Sequence, residues 1–306
     1  MYRCHFRTDN HFFISETFTS VVVKKTEEVL RLMKDDDSSM GIMFGLKEKM
    51  LCNPFSAPFG GFHFTHESLP YNIIYDFIYD LKEYIIEHDL LGVCITLPPD
   101  IYQCNTNAKC INAFIRLGFK MLTPDLTNWI NLKQFDGNWT NKKIHQNIRK
   151  AFDNQLSCTI TTDKDLMKEA FNLISLNRIE QGRKIHMTLE DILELQKIIP
   201  IDFFIAEDAN GQMIGSGVIY RGHKTIAQAI FMADDLNRRD LRVIDFIYLK
   251  VFEYYKQLGY DFIDLGTSSL CGEPNIGLIR FKEFHNCVTS LRYSFTWKPY
   301  GELLSK

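Results

Sequence analysis

Between Asn275 and Asn286 the chain reads NIGLIRFKEFHN, an apolar helical pattern that carries two cations, Arg280 and Lys282. Two residues apart on a helix, side chains diverge by about 200°, so the two cannot serve one ligand. Either one faces a site, or both are ordinary charges of an amphipathic helix, Lys282 with its stem snorkelling to water. A second basic cluster, Arg238, Arg239 and Arg242 in LNRRDLRVID, opens a long apolar helix. The helix N-terminus is electropositive, and arginines there form charge-assisted bonds to phosphate. Beside Asp234, Asp235 and Asp240 the same cluster also reads as a solvated, self-neutralised face. In NPFSAPFGGF, Gly60 and Gly61 let backbone approach a ligand, with Asn53, Ser56 and Phe59 in reach. The plainer reading is a loop that needs glycine for tight geometry.

Other chemistries find no support. His63 and His66 fall on opposite faces of an extended segment, and we expect no metal. The stretch GTSSL from Gly266 lacks the second glycine of a nucleophile elbow, and no histidine triad can be assembled. Eight cysteines, at 4, 52, 94, 104, 110, 158, 271 and 287, contain no C-x-x-C pair; they read as reduced thiols rather than zinc ligands or a disulfide framework. Of 306 residues 45% are hydrophobic and 24% charged, which suits a soluble globular chain of one or two domains. A net charge of −3 gives no global attraction to nucleic acid or anionic membrane. The opening MYRCHFRTDNHFF has no apolar leader core, and no run reaches membrane-spanning length. The expected location is cytoplasmic.

These residues must be held by strands and helices. HFFISETFTSVVV, rich in β-branched and aromatic residues, reads as a strand and TEEVLRLMKDD as a short helix. GIMFGLKEKMLCN reads as a hairpin turning at 47–49. Ser68 caps a long helix with Pro70 in its first turn, and LGVCITLPP is a buried strand. NAKCINAFIRLGFKML is a helix stopped at Gly118, then a strand. A basic amphipathic helix, TNKKIHQNIRKAFDNQ, opens the second half, and helices follow at 164–182 and 188–198. Three strands, DFFIAED, QMIGSGVIYRG and KTIAQAIFMAD, come next, the first turn marked by Asn210-Gly211. RVIDFIYLKVFEYYKQLG is a helix, YDFIDLG a strand, NIGLIRFKEF a helix and VTSLRYSFTWK a closing strand.

The two halves repeat. DFIYDLKEYIIEHDLLGVCITLPP from Asp76 and DFIYLKVFEYYKQLGYDFIDLGTS from Asp245 are each a long helix, a turn and an apolar strand. INAFIRLGF and IGLIRFKEF follow at nearly the same offset, which points to a duplicated α/β unit. INAFIRLGF resembles the late helix of the GNAT acyltransferase fold. YDFIDLG followed by GLIRFKEF resembles the FemABX-type and related tandem-GNAT proteins, as do the basic helix KIHQNIRKAFDNQLSCTI and the loop SAPFGGF.

The resemblance implies an α/β (α+β) chain of two tandem GNAT-like domains, 1–135 and 136–306, each a mixed, mostly antiparallel sheet flanked by helices. It implies acyl or aminoacyl transfer from acyl-CoA or aminoacyl-tRNA to an amine, such as a small molecule or cell-wall precursor, without a metal. The donor would lie in a V between KTIAQAIFMAD and YDFIDLG in the second domain, and the first domain would form the acceptor-side wall through Asn53, Ser56, Phe59, Gly60 and Gly61. Asp264 is then the candidate base, or merely the cap of the loop GTSS, and Lys282, matching the family's Phe-Lys, is the candidate catalytic cation. Arg238, Arg239 and Arg242 would hold the donor's phosphates. The family's turn is Arg/Gln-x-x-Gly-x-Gly/Ala, and here Arg242 and Ile244 stand where small residues belong. That departure keeps open a non-catalytic binding protein with a degenerate donor site. His285, where the family usually has glycine, either narrows the pocket or caps the helix.

Overall fold

The computed structural model describes residues 12–34, 39–66, 68–185 and 187–299 and the backbone of Tyr2–Arg3; Cys4 lies outside the described residues. The chain forms two compact units, one of 1–127, 269–274 and 290–306, the other of 128–268 and 275–289. The sequence had suggested a single cut between 135 and 136.

The first unit opens with β1 (Tyr2–Arg3) and α1 (Glu16–Val22). Next come β2 (Glu28–Met33), β3 (Met40–Lys47), β4 (Met50–Asn53) and β5 (Phe62–Phe64). Then follow α2 (Tyr71–Glu87), β6 (Gly92–Thr96), α3 (Asp100–Arg116) and β7 (Lys120–Met121). Two expectations are exchanged here. The β-branched stretch before Lys24 is helical, because Ser15 accepts a hydrogen bond from Phe18 N–H (3.0 Å) and caps it, while Phe12, Phe13 and Phe18 pack edge to face. The stretch 28–33 is a strand. Its period-2 component wins: Leu30 and Leu32 enter the core, and the whole segment pairs antiparallel with 41–46. Ser68 does not cap α2; Pro70 is the cap residue, and the Ser68 hydroxyl meets His66 Nδ1 at 3.0 Å. The hairpin β3–β4 turns at 48–49 as expected.

The chain continues through β8 (Asp125–Asn131), α4 (Lys142–Asp153) and β9 (Ser157–Thr161). Then come α5 (Lys164–Glu180), α6 (Leu189–Gln196), β10 (Ile201–Glu207), β11 (Met213–Tyr220) and β12 (Ile226–Asp234). A 3-10 turn (Leu236–Leu241) leads to α7 (Val243–Gln257), β13 (Phe262–Thr267), the small hairpin β14 (Ser269–Leu270) and β15 (Glu273–Pro274), and α8 (Ile276–Phe284). The closing stretch is two strands rather than one, β16 (Val288–Arg292) and β17 (Ser294–Trp297), and they join different sheets.

Both units follow one plan. β2–β3–β4 and β10–β11–β12 are antiparallel meanders. A long helix leads back to a parallel neighbour of the third strand, β6 beside β4 and β13 beside β12, and a second helix follows. The first sheet runs β1-β2-β3-β4-β6-β17-β7 with β5 on β3, the second β16-β8-β13-β12-β11-β10-β9. Each has its own core, the first around Phe44, Phe62, Phe77 and Phe114, the second around Phe204, Phe246, Phe252 and Tyr255. In the second unit Gly215 and Gly217 admit α7 to the sheet: a Cβ on Gly215 would lie 2.4 Å from Val243 Cγ1.

Candidate active site

In the second sheet β12 and β13 pair over three rungs only, Ile226–Gln228 against Phe262–Asp264. β12 then runs on to Asp234 and β13 to Thr267 without pairing each other. The cause is local. Opposite β11, Phe231 pairs with Val218 but Ala229 with Ile219, so Ile230 is an extra, bulged residue that turns β12 away. Residues 229–232 are half-buried although the strand lies mid-sheet. Peptide groups on the parting edges have no ladder partner across the V, and such groups can pair with a ligand.

The apex of the V is polar. Gln228 Nε2 donates to Asp264 Oδ2 (3.1 Å), and Asp264 Oδ1 accepts from Gly266 N–H (2.8 Å). Asp264 is 1% exposed. Its carboxylate ties the end of β13, the geometry of a loop cap. Gln228 had escaped the sequence reading; a lone amide inside the apolar run KTIAQAIFMAD was the available signal.

Lys282 is the buried residue of α8, whereas Arg280 is exposed, as their divergence around the helix requires. The solvent-facing reading of Lys282 is therefore corrected: it is 2% exposed. Its Nζ donates to the carbonyl oxygens of Leu265 (2.9 Å), Gly266 (2.9 Å) and Thr267 (3.3 Å). An ammonium has three N–H groups, and all three are engaged. Burial pushes its pKa down to about 8, while Cys287 and Asp264 pull it up. In this arrangement the ammonium is committed to the backbone at the end of β13.

The three arginines part company. Arg238 is bound to Asp208 Oδ2 at 2.6 Å, and Arg239 lies 3.5 Å from Asp234 Oδ2. Beside them a groove of about 390 Å³ is lined by Glu169, Asn177, Glu180, Asp234 and Asp235, a field that repels phosphate. Burial raises the Asp234 carboxyl, with Arg239 opposing. Arg242 differs. It is exposed, it is the residue before α7, and its backbone is left-handed (φ 63°, ψ 38°). The backbone thus adopts at Arg242 the conformation glycine favours, at the place where the resembled turn has glycine.

The loop of the first unit is self-contained. Asn53, 1% exposed, donates through Nδ2 to Met43 O (2.6 Å) and Gly61 O (3.3 Å) and accepts from Gly61 N–H (2.6 Å). Gly60 N–H donates to Thr96 O (2.9 Å) at the end of β6, and a Cβ on Gly60 would lie 2.0 Å from Asn53 Oδ1. Phe59 is buried between Phe13 and Tyr102. Of the five residues expected to meet substrate, only Ser56 is partly exposed. The place in this unit that corresponds to the V is filled by its own loop, so the glycines serve the loop. Among the described residues the seven cysteines are free, and no His, Cys, Asp or Glu cluster is arranged to hold a metal. No described helix is long and apolar enough to cross a membrane.

No family model matches the chain, and no curated protein matches its sequence. Among solved structures, FemX aligns over 100% of both chains with a TM-score of 0.71 at 10% identity. The chain has the FemX fold. L-PGS from Bacillus licheniformis aligns over 97% of this chain and 95% of its own (TM-score 0.62, 11% identity). A tandem GNAT protein from the clavulanic acid biosynthesis pathway aligns over 92% and 87% (TM-score 0.55, 9% identity). The FemABX and tandem-GNAT resemblance read from short motifs thus holds for the fold, two mixed sheets each flanked by helices.

Proposed function

We propose that this protein is an N-acyltransferase that moves an acyl or aminoacyl group onto an amine, with the donor's reactive end in the V of the second unit. The observation that carries this is the parting of β12 from β13 after Gln228 and Asp264, set against a first unit whose equivalent place is filled by Asn53 and Gly60. The amine attacks the donor carbonyl, and the tetrahedral oxyanion is met by peptide N–H groups on the open edges. The intermediate then collapses with cleavage of the donor's C–S or C–O bond, the CoA thiolate or tRNA ribose oxygen leaving and taking up a proton. The amine's own proton goes to a base or a water relay; Asp264, at the apex, is the carboxylate this reading assigns to that role. Lys282 adds positive charge behind 265–267 and keeps that backbone in place.

The donor's phosphates lie at the start of α7, where Arg242 offers an exposed guanidinium above unpaired helix N–H groups. Acyl-CoA and aminoacyl-tRNA both carry such phosphates and both occur in the cytoplasm, where this reading places the enzyme. The FemABX resemblance of the sequence favours the aminoacyl donor, its GNAT resemblance the acyl-CoA. The first unit is assigned to the amine acceptor, a small molecule or cell-wall precursor.

A binding protein with a degenerate donor cleft is the second reading, favoured by the neutralised Arg238 and Arg239 and by the fully engaged Lys282. Incubation with radiolabelled acyl-CoA or charged tRNA and a pool of amines separates the two. The transferase reading expects transfer from one donor class, with donor affinity falling roughly tenfold in Arg242→Ala and little changed in Arg238→Ala. No binding of either donor supports the second reading and overturns the first, and transfer to an amine overturns the second.

A further inference from the structure

Strand alternation assigns the two faces of the V. Ala227, Ile263 and Leu265 belong to the core under α7. Gln228 and Asp264, each one residue away, therefore lie on the opposite face, the one α5 covers. Alternation alone would send Phe231 to the α7 side. The extra residue Ile230 reverses this. Phe231 meets Phe171 of α5 edge to face, with ring centroids 6.3 Å apart, while Met232 packs on the α7 core. The bulge that opens the V thus also sets Phe231 on the face of Gln228 and Asp264, beyond the last shared rung.

Arg178 lies on α5 two turns after Phe171, and its guanidinium sits 5.8 Å from the Phe231 ring centroid. Side chain and ring are both half-buried. Arg178 Nε is withdrawn from water and has no hydrogen-bond partner. The other half-buried arginines of this unit, Arg221 and Arg238, hold Asp202 and Asp208; among the described residues no carboxylate pairs with Arg178. Burial lowers its pKa, and its neighbour Arg183, another cation, lowers it further, yet an arginine stays charged. The ring face accommodates the cation, and the guanidinium edge is left for an anion. A carboxylate or phosphate accepts from two such N–H groups side by side.

We propose that Arg178, held over Phe231, binds an anionic group of the amine acceptor, a carboxylate or phosphate, while the amine itself reaches Asp264 on the same face of the V. The spacing limits the acceptor. From Gln228 to Phe231 the strand advances by roughly 10 Å, so amine and anion stand about that far apart, as in a peptide or a long ω-amino acid, and not on one carbon as in glycine. The inference deepens the transferase reading and rests on it for the bound molecule's role as acceptor. Binding is measured without donor, so a silent transfer assay and a failed binding test are separate results.

Calorimetric titration of the full chain with ω-aminooctanoate, ω-aminohexyl phosphate, octylamine and glycine supplies the test. At least one of the two long anionic probes is expected to bind roughly tenfold more tightly than octylamine and glycine, and the tighter one names the anion. In Arg178→Gln that preference is expected to vanish, and in Arg178→Lys to survive in part, with acyl-CoA and aminoacyl-tRNA bound as before. In ¹⁵N-arginine-labelled native protein the Arg178 Nε–H resonance, identified by its absence from the variants, is expected to shift with the anionic probe and not with octylamine. Equal affinity for anionic and neutral probes overturns the proposal, as does an Arg178 resonance that no anionic probe moves. Weaker donor binding in Arg178→Gln with the probes unaffected would put a donor phosphate at this place and overturn it as well. Should Arg178→Gln fail to fold, the resonance test needs only the native protein and Arg178→Lys.

Discussion

At Arg242 a side chain occupies a backbone conformation that costs an L-residue roughly 1–2 kcal/mol. Arg242→Gly relieves that cost and removes the guanidinium. We expect this variant to gain about 1 kcal/mol in denaturant unfolding while losing donor affinity. A gain in stability without loss of affinity would show that the arginine has no phosphate to hold. Asn53 works the other way. Asn53→Ala strands the Gly61 N–H and the Met43 carbonyl inside the protein, and urea unfolding should show a loss of about 2 kcal/mol. The motif Phe-Lys picked out Lys282 from sequence, but residue type cannot say that its ammonium is spent on three carbonyls. Asn53 next to two glycines reads alike for a ligand rim and a loop staple, because sequence gives a polar group and not its partner.

Among the elements, β13 and α8 are joined through Lys282. Its folded pKa, about 8, lies below the ordinary 10.5, so between those values the unfolded chain binds more protons. Stability from this group therefore rises as pH climbs from 8 to 10.5, by at most roughly 3 kcal/mol. Unfolding curves of the native protein and Lys282→Met over this window isolate the effect: the native curve should climb relative to the variant's, and parallel curves would mean that the lysine is not buried. α7 is set by the β11 glycines, and Gly215→Ala should cost about 1–3 kcal/mol by pushing Val243 off the sheet. The long helices and the β10–β12 meander were legible because their periodicity runs long. α1 and β2 were exchanged because each is short: a serine cap outweighed β-branched propensity at 16–22, and a two-residue alternation was hidden inside 28–33. The bulge at Ile230 leaves no mark in the composition of its strand, so the V itself came only from resemblance.

For the whole molecule, duplication was legible in the paired helix–strand segments, and the path of the chain was not. β17 lies between β6 and β7 in the first sheet, more than 170 residues from either, and no local pattern encodes a return of that kind. The same two-unit plan ends in an open V in one copy and a filled one in the other, and the central claim is that the open V receives the donor. Hydrogen–deuterium exchange with each donor class tests it most directly. Within 229–234 and 265–268, the amides that face the V, rather than β11, β8 or the Asp264 carboxylate, should exchange quickly in the free protein and slow markedly with acyl-CoA or with aminoacyl-tRNA, while 53–61 stays unchanged. Exchange at 229–234 and 265–268 that neither donor alters would contradict the account.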